Sequence, residues 1–158
     1  MALGSLAFAM PREEFTFSYP LRVRWAEVDR QGVVFNPQYF AYFDVAVTEY
    51  WRALNVRYPE DFSKHGTDTY AVSARAEFHG SAAYDDVVDL CCRVGRIGRT
   101  SMRFIFGVHR GDLCLTSGEI VYVNVQLDTR RPAPWSEALK ETIVRFERTP
   151  PELPASAP

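Results

Sequence analysis

The alternation of apolar and polar positions in this chain begins at Phe15. Phe15, Phe17 and Tyr19, then Leu21, Val23 and Trp25, are interleaved with Thr16, Ser18, Arg22 and Arg24, the period-two signature of a half-buried strand. Pro20 marks that strand as an edge, since proline cannot donate to a ladder. The period then lengthens. Asn36 is suited to cap a helix and Pro37 to occupy its first position, and neither proline nor glycine recurs before Pro59, which predicts a helix from Pro37 to Asn55. At about 100° per residue, Tyr39, Phe40, Tyr42, Phe43, Ala46, Val47, Tyr50, Trp51, Ala53 and Leu54 fill one arc of about 180°, leaving Val45 among the polar residues. So wide an apolar stripe suits a helix laid on a sheet. After a polar loop around Asp61 to Asp68, alternation returns four times. Tyr70, Val72, Ala74, Ala76 and Phe78 share one face, and Val88, Leu90, Cys92 and Val94 the next. Met102, Phe104, Phe106 and Val108 follow a turn at Gly98, and a strand from Leu113 to Val125 follows the His109 to Asp112 hairpin, with Gly118 as a candidate bulge. A short helix between Trp135 and Phe146, capped by Ser136, closes the pattern.

Strand, helix, then four sequential antiparallel strands make an α+β domain: a five-stranded antiparallel sheet wrapped around one long central helix, the hotdog fold. The domain is expected at 14–148, with a loose extension at 1–13 and a Pro-rich disordered tail at 149–158, where TPPELPASAP holds four prolines and one charge. A single long helix cannot cover both faces and both edges of such a sheet. A second copy is therefore expected: a homodimer, or a homotetramer built as a dimer of dimers.

Composition narrows the functional classes. The 158 residues are 47% apolar with a formal net charge of -2, which disfavours a general nucleic-acid binder. No run reaches the roughly 18 apolar residues of a membrane span, so no membrane insertion is expected. Three cysteines are too few and odd in number for a disulfide scaffold, pointing to a reducing, cytoplasmic setting. His65, His79 and His109 read as surface or strand-end residues, and no local metal-ligand spacing occurs, so no metal and no cofactor are expected. Nucleophile-elbow, phosphate-loop and dinucleotide fingerprints are also missing from the sequence. What remains is Asp29, placed shortly before the start of the helix, where backbone N–H groups and the helix dipole can hold an oxyanion. The residues alone leave Asp29 open between a turn or capping role and a catalytic one.

The stretch Asp29 to Phe40, Asp-Arg-Gln-Gly-Val-Val-Phe-Asn-Pro-Gln-Tyr-Phe, resembles the Asp-x-x-Gly-[Ile/Val]-Val-[Trp/Tyr/Phe]-x-x-x-Tyr signature of the 4-hydroxybenzoyl-CoA thioesterase family and its bacterial acyl-CoA thioesterase relatives. The similarity extends in element order from Tyr19 to Phe146. It implies a hotdog acyl-CoA thioesterase in which Asp29 matches the catalytic carboxylate, the backbone N–H of Asn36 the amide that polarises the thioester carbonyl, and Gly32 the tight turn between them. Phe35, Tyr39, Phe78 and His79 fall near the implied acyl site. Arg99, Thr100 and Ser101 resemble an Arg-Gly-Thr-Ser stretch of relatives and are the first choice for the coenzyme A phosphates, ahead of Arg96, Arg103, Arg130 and Arg131. Many relatives carry His where Asn36 stands, and basic or polar residues at Val45 and Val47. The expected reaction is hydrolysis of an aromatic or short-to-medium acyl-CoA, with coenzyme A entering only as part of the substrate. A thioesterase for acyl carrier protein and a non-catalytic acyl-binding module are the alternatives.

Overall fold

The computed structural model describes residues 9–154. Strand β1 (Phe17–Arg22) leads through a short 3-10 turn (Trp25–Glu27) to helix α1 (Gln38–Ala53). A single-turn helix α2 (Glu60–Ser63) precedes strands β2 (Thr67–Phe78), β3 (Val87–Ile97), β4 (Ser101–Arg110) and β5 (Leu113–Gln126), and helix α3 (Glu137–Phe146) follows. Among the described residues the five strands form one antiparallel sheet in the order β1-β3-β4-β5-β2, and α1 packs on it as the hotdog arrangement requires.

Helix α1 buries Tyr39, Tyr42, Phe43, Ala46, Val47, Tyr50 and Trp51, the i, i+3, i+4, i+7 stripe that its period predicted. Each large apolar side chain so buried contributes about 1.5–3 kcal/mol. Val45 packs at the margin of the core rather than standing alone, whereas Phe40 and Ala53 turn outward. Phe43 stacks on Phe106 of β4 with ring centroids 4.6 Å apart. Gly118, expected as a bulge, pairs regularly with Phe106 and Ala76. Its bare Cα gives Phe43 room, since a Cβ there would lie 2.5 Å from the Phe43 ring.

Several boundaries differ from expectation. The first strand ends at Arg22, because Trp25 has already entered the 3-10 turn. Pro37, not Asn36, stands at the α1 N-cap, and no side chain caps the helix. His109 is buried rather than superficial, its Nε2 bonded to the Met10 carbonyl at 3.1 Å, and burial depresses its pKa. The extension is anchored from its described end: Arg12 donates to Asp89 at 3.0 Å and to Ser18 at 2.9 Å. Met1 to Phe8 lie outside the described residues.

The described part of the Pro-rich tail reaches the sheet edge at Glu152. β1 covers β3 only from Val87 to Cys92, and the remaining β3 edge must find other partners. Ile97 N–H donates to Glu152 O, and Glu152 N–H to Gly95 O, both at 2.9 Å, with Pro151 buried beside them. Residues 155–158 lie outside the described part. Glu147 satisfies the same edge with its side chain: Oε1 accepts from Val94 N–H at 3.0 Å and from the Tyr50 hydroxyl at 2.6 Å. Burial raises the Glu147 carboxyl above its ordinary value. A folded-state pKa above the unfolded one gives a contribution that is complete below the unfolded pKa and is lost as pH rises through the folded one. Glu147→Gln keeps a carbonyl acceptor without the charge. Its melting temperature relative to the native chain is therefore expected to rise between pH 4 and pH 7; parallel profiles across that range contradict the assignment.

Candidate active site

The residues after the 3-10 turn fold back on themselves. Glu27 O accepts from Phe35 N–H at 3.0 Å and Val33 O from Asp29 N–H at 2.9 Å, and Val28 and Val34 pair across. The result is a small hairpin whose tip is Arg30, Gln31 and Gly32. Gly32 N–H returns to Asp29 O at 2.9 Å, and Gly32 adopts φ +78, as a three-residue hairpin loop ending on a left-handed residue requires. Gly32 thus closes the turn that follows Asp29.

Asp29 opens this tip, half-buried. Its Oδ1 accepts from Gln31 N–H at 2.7 Å, which orients the carboxylate through the local Asx geometry. The hairpin runs directly into α1. There Gln38 N–H donates to Phe35 O at 2.8 Å, Tyr39 N–H to Asn36 O at 3.2 Å and Phe40 N–H to Pro37 O at 3.1 Å, while Pro37 has no N–H. The Asn36 N–H is left without an acceptor among the described residues, and α1 has no acidic residue in its first turn to oppose its dipole. Sequence reasoning expected several free amides at the helix start; the tight turns around Pro37 consume all but one.

Other predicted residues divide into two groups. Tyr39 is buried, its hydroxyl accepting from Ala82 N–H at 3.2 Å and its ring 5.6 Å from that of Phe78. Phe35 and Phe78 are exposed, and His79 Nε2 meets Ser117 Oγ at 2.8 Å. Phe35 and Tyr39 flank the helix start, and the Tyr39 ring contact brings Phe78 to it. Arg99, Thr100 and Ser101 instead lie at the other end of the sheet, where Thr100 O accepts from Asn124 N–H at 2.8 Å and Arg99 O from Trp135 N–H at 3.2 Å. Within one chain they do not join Asp29, because the β3–β4 turn and the start of α1 occupy opposite ends of the sheet. A cavity of about 450 Å³ also opens at that far end, between Leu54, Phe62, Asn124, Trp135 and Leu139, and none of the predicted site residues lines it.

A carboxylate on a hairpin tip, followed seven residues later by an unclaimed amide at the start of a sheet-covering helix, also coincides with a match to the Thioesterase superfamily profile over residues 31–127. The chain belongs to the thioesterase superfamily. It is a thioester hydrolase. This thioesterase is 24% identical to the acyl-CoA thioesterase YbgC of Haemophilus influenzae over 124 residues, 78% of this chain and 91% of that protein. A thioesterase from Thermus thermophilus solved with coenzyme A and Zn superposes with TM-score 0.74 at 25% identity, covering 87% of this chain and 98% of that one. A DHNA-CoA thioesterase from Staphylococcus aureus superposes with TM-score 0.72 at 21% identity over 79% of this chain and 86% of that one, a likeness of fold. The superfamily match takes in Gly32, Asn36, α1 and the four later strands, and begins two residues after Asp29.

Sequence reasoning missed Glu27 and its bond to Tyr42, a residue it places only on the apolar arc of the helix. Glu27 is only 5% exposed and Tyr42 fully buried, and they are joined by a 2.8 Å hydrogen bond across fifteen residues of sequence. An acidic residue within Trp-Ala-Glu-Val-Asp-Arg carries no local signal of burial.

Proposed function

We propose that this thioesterase hydrolyses an aromatic or short-to-medium acyl-CoA, with Asp29 as nucleophile or general base and the Asn36 N–H as donor to the thioester carbonyl. The observation that carries the reading is the unconsumed amide at the start of α1, held at the end of the hairpin that bears Asp29. In the general-base route the carboxylate takes a proton from water as the oxygen attacks the carbonyl carbon. The C–S bond then breaks, and coenzyme A leaves as thiolate while the acid is released. In the nucleophilic route Asp29 itself attacks the carbonyl carbon, the C–S bond breaks with coenzyme A leaving as thiolate, and water then hydrolyses the resulting anhydride to the free acid and the Asp29 carboxylate. The Asn36 amide stabilises the charge that grows on the carbonyl oxygen in either case. Competition separates coenzyme A from a carrier protein as the acyl donor. Free coenzyme A is expected to inhibit hydrolysis of acyl-CoA competitively; indifference to coenzyme A together with faster turnover of acyl carrier protein substrates would overturn the coenzyme A assignment.

The same reading takes the active unit as a homodimer. β2 is an edge strand, and Tyr70, Val72 and Phe78 on it are exposed, Val72 by 62%. A long apolar edge of this kind favours pairing with a second strand. Antiparallel pairing of two β2 edges about a two-fold axis brings the Thr67 end of one copy, near Asn124 and the Arg99 turn, toward the Phe78 end of the other. That is the arrangement in which Arg99 could serve the coenzyme A phosphates. Sedimentation of the native chain is expected to give twice its 18.0 kDa mass, falling to the monomer in Val72→Lys/Ala74→Lys; a native chain that sediments as a monomer rules the pairing out.

A further inference from the structure

Glu27 lies where three pieces of this site meet. Its backbone carbonyl closes the base of the Asp29 hairpin by accepting from Phe35 N–H at 3.0 Å. Its Oε2 accepts from the Tyr42 hydroxyl and from Arg24 N–H, both at 2.8 Å, and its Oε1 accepts from Arg24 Nε at 2.7 Å and from Arg24 Nη2. Tyr42 stands on α1 one turn beyond Gln38, packed edge-on against Tyr39 at 5.7 Å, and Tyr39 in turn holds Ala82 through its hydroxyl. Burial works to raise the Glu27 carboxyl, but the hydrogen bonds from Arg24 and Tyr42 outweigh it and keep the pKa below the ordinary value. The group is thus a buried carboxylate with both oxygens engaged, two residues from Asp29.

A buried, charge-paired carboxylate is a poor source of stability, because desolvation offsets most of its Coulombic gain and an apolar side chain could fill the same space. It does fix geometry: a charged acceptor holding a fully buried tyrosine hydroxyl tolerates little displacement. A second, indirect tie runs from Val34 N–H to Ala82 O at 2.8 Å and from Ala82 N–H to the Tyr39 hydroxyl, whereas Glu27 joins the base of the hairpin to α1 directly. We propose that Glu27 is a positioning residue for the thioesterase reaction, its carboxylate clamping the Asp29 hairpin to Tyr42 of α1 so that the Asp29 carboxylate and the Asn36 amide keep one fixed relation. The proposal rests on the catalytic reading of Asp29 and Asn36 above.

Glu27→Gln and Tyr42→Phe, made in the full chain and assayed on its best acyl-CoA, test it. Glu27→Gln places an amide N–H₂ against the Arg24 guanidinium, and Tyr42→Phe removes one bond while keeping the packed ring. Displacements of about 1 Å at reacting groups cost on the order of 10²-fold in rate. The clamp therefore predicts a fall in kcat of about 10²-fold for Glu27→Gln and about 10-fold for Tyr42→Phe, with KM within about twofold of native. The same changes in an Asp29→Asn background are expected to lower the residual rate by less than about twofold, because a residue acting through Asp29 has nothing left to position. Melting curves identify any variant that does not fold; should Glu27→Gln be one, Tyr42→Phe alone decides through the kcat and KM split. Unchanged kcat in folded Tyr42→Phe, or an equal loss with and without Asp29, overturns the clamp. Native turnover in Asp29→Asn alone is a different result, because it removes the catalytic reading itself.

Discussion

Asp29→Asn is expected to lower kcat for acyl-CoA hydrolysis by about 10²–10⁴-fold, the range for loss of a positioned acid-base group. The change is close to isosteric. The amide oxygen of Asn can still accept from Gln31 N–H, which Asp29 Oδ1 does at 2.7 Å, and Gly32 still provides the φ +78 that the tip needs. What disappears is the charge and basicity of the second oxygen, so KM and the melting temperature are expected to move little. Single turnover in oxygen-18 water bears on the two routes: label in the Asp29 carboxylate requires an anhydride that water opens at the Asp29 carbon, and general-base catalysis never places it there. Near-native turnover of the folded variant would remove Asp29 from the chemistry and leave the Asn36 amide without its partner.

Gly118→Val carries the largest expected effect on stability. A Cβ at this position would approach Phe43 Cε2 to 2.5 Å, Phe43 Cζ to 2.6 Å and the Arg75 carbonyl oxygen to 2.7 Å. Phe43 cannot yield easily, because it stacks on Phe106 and meets Phe40 edge-on, and the Arg75 carbonyl belongs to the β2 backbone. Overpacking at a site closed on both sides costs about 3 kcal/mol, which lowers Tm by about 6–12 °C in a domain of this size. The damage also reaches function, because Phe43 holds the first turns of α1 on the sheet. A melting temperature within about 2 °C of native would mean that α1 can lift from the sheet at little cost.

Gly118 illustrates which features were legible in the sequence. A glycine within a strand has several possible causes, and the sequence cannot distinguish a bulge from clearance for a ring that sits on another element. Helix α1 could be read because its signal is local, an apolar residue every three or four positions from Tyr39 to Trp51. The turn at the hairpin tip was equally local: Asp29 and Gly32 lie three residues apart and are joined by a Gly32 N–H to Asp29 O bond. Expectations failed where the cause was distant in sequence. Glu27 is buried only because Tyr42 and Arg24 converge on it. Glu152 pairs with Gly95 and Ile97 because β1 stops short and leaves a β3 edge open, a distant cause that its proline-rich surroundings do not announce. The alternation in β2 was real, but it described a strand exposed at the sheet edge and irregular at Val72, between Ala71 and Ser73. Alternation alone does not say whether an apolar face meets the core of its own chain or a second one.

The most direct test is release of free coenzyme A by the purified full-length chain from benzoyl, hydroxybenzoyl, short and long acyl-CoAs. The account predicts hydrolysis of an aromatic or short-to-medium member, with kcat/KM on the order of 10⁴ M⁻¹s⁻¹ or higher, lost in Asp29→Asn. Binding of these thioesters without hydrolysis of any of them would contradict it.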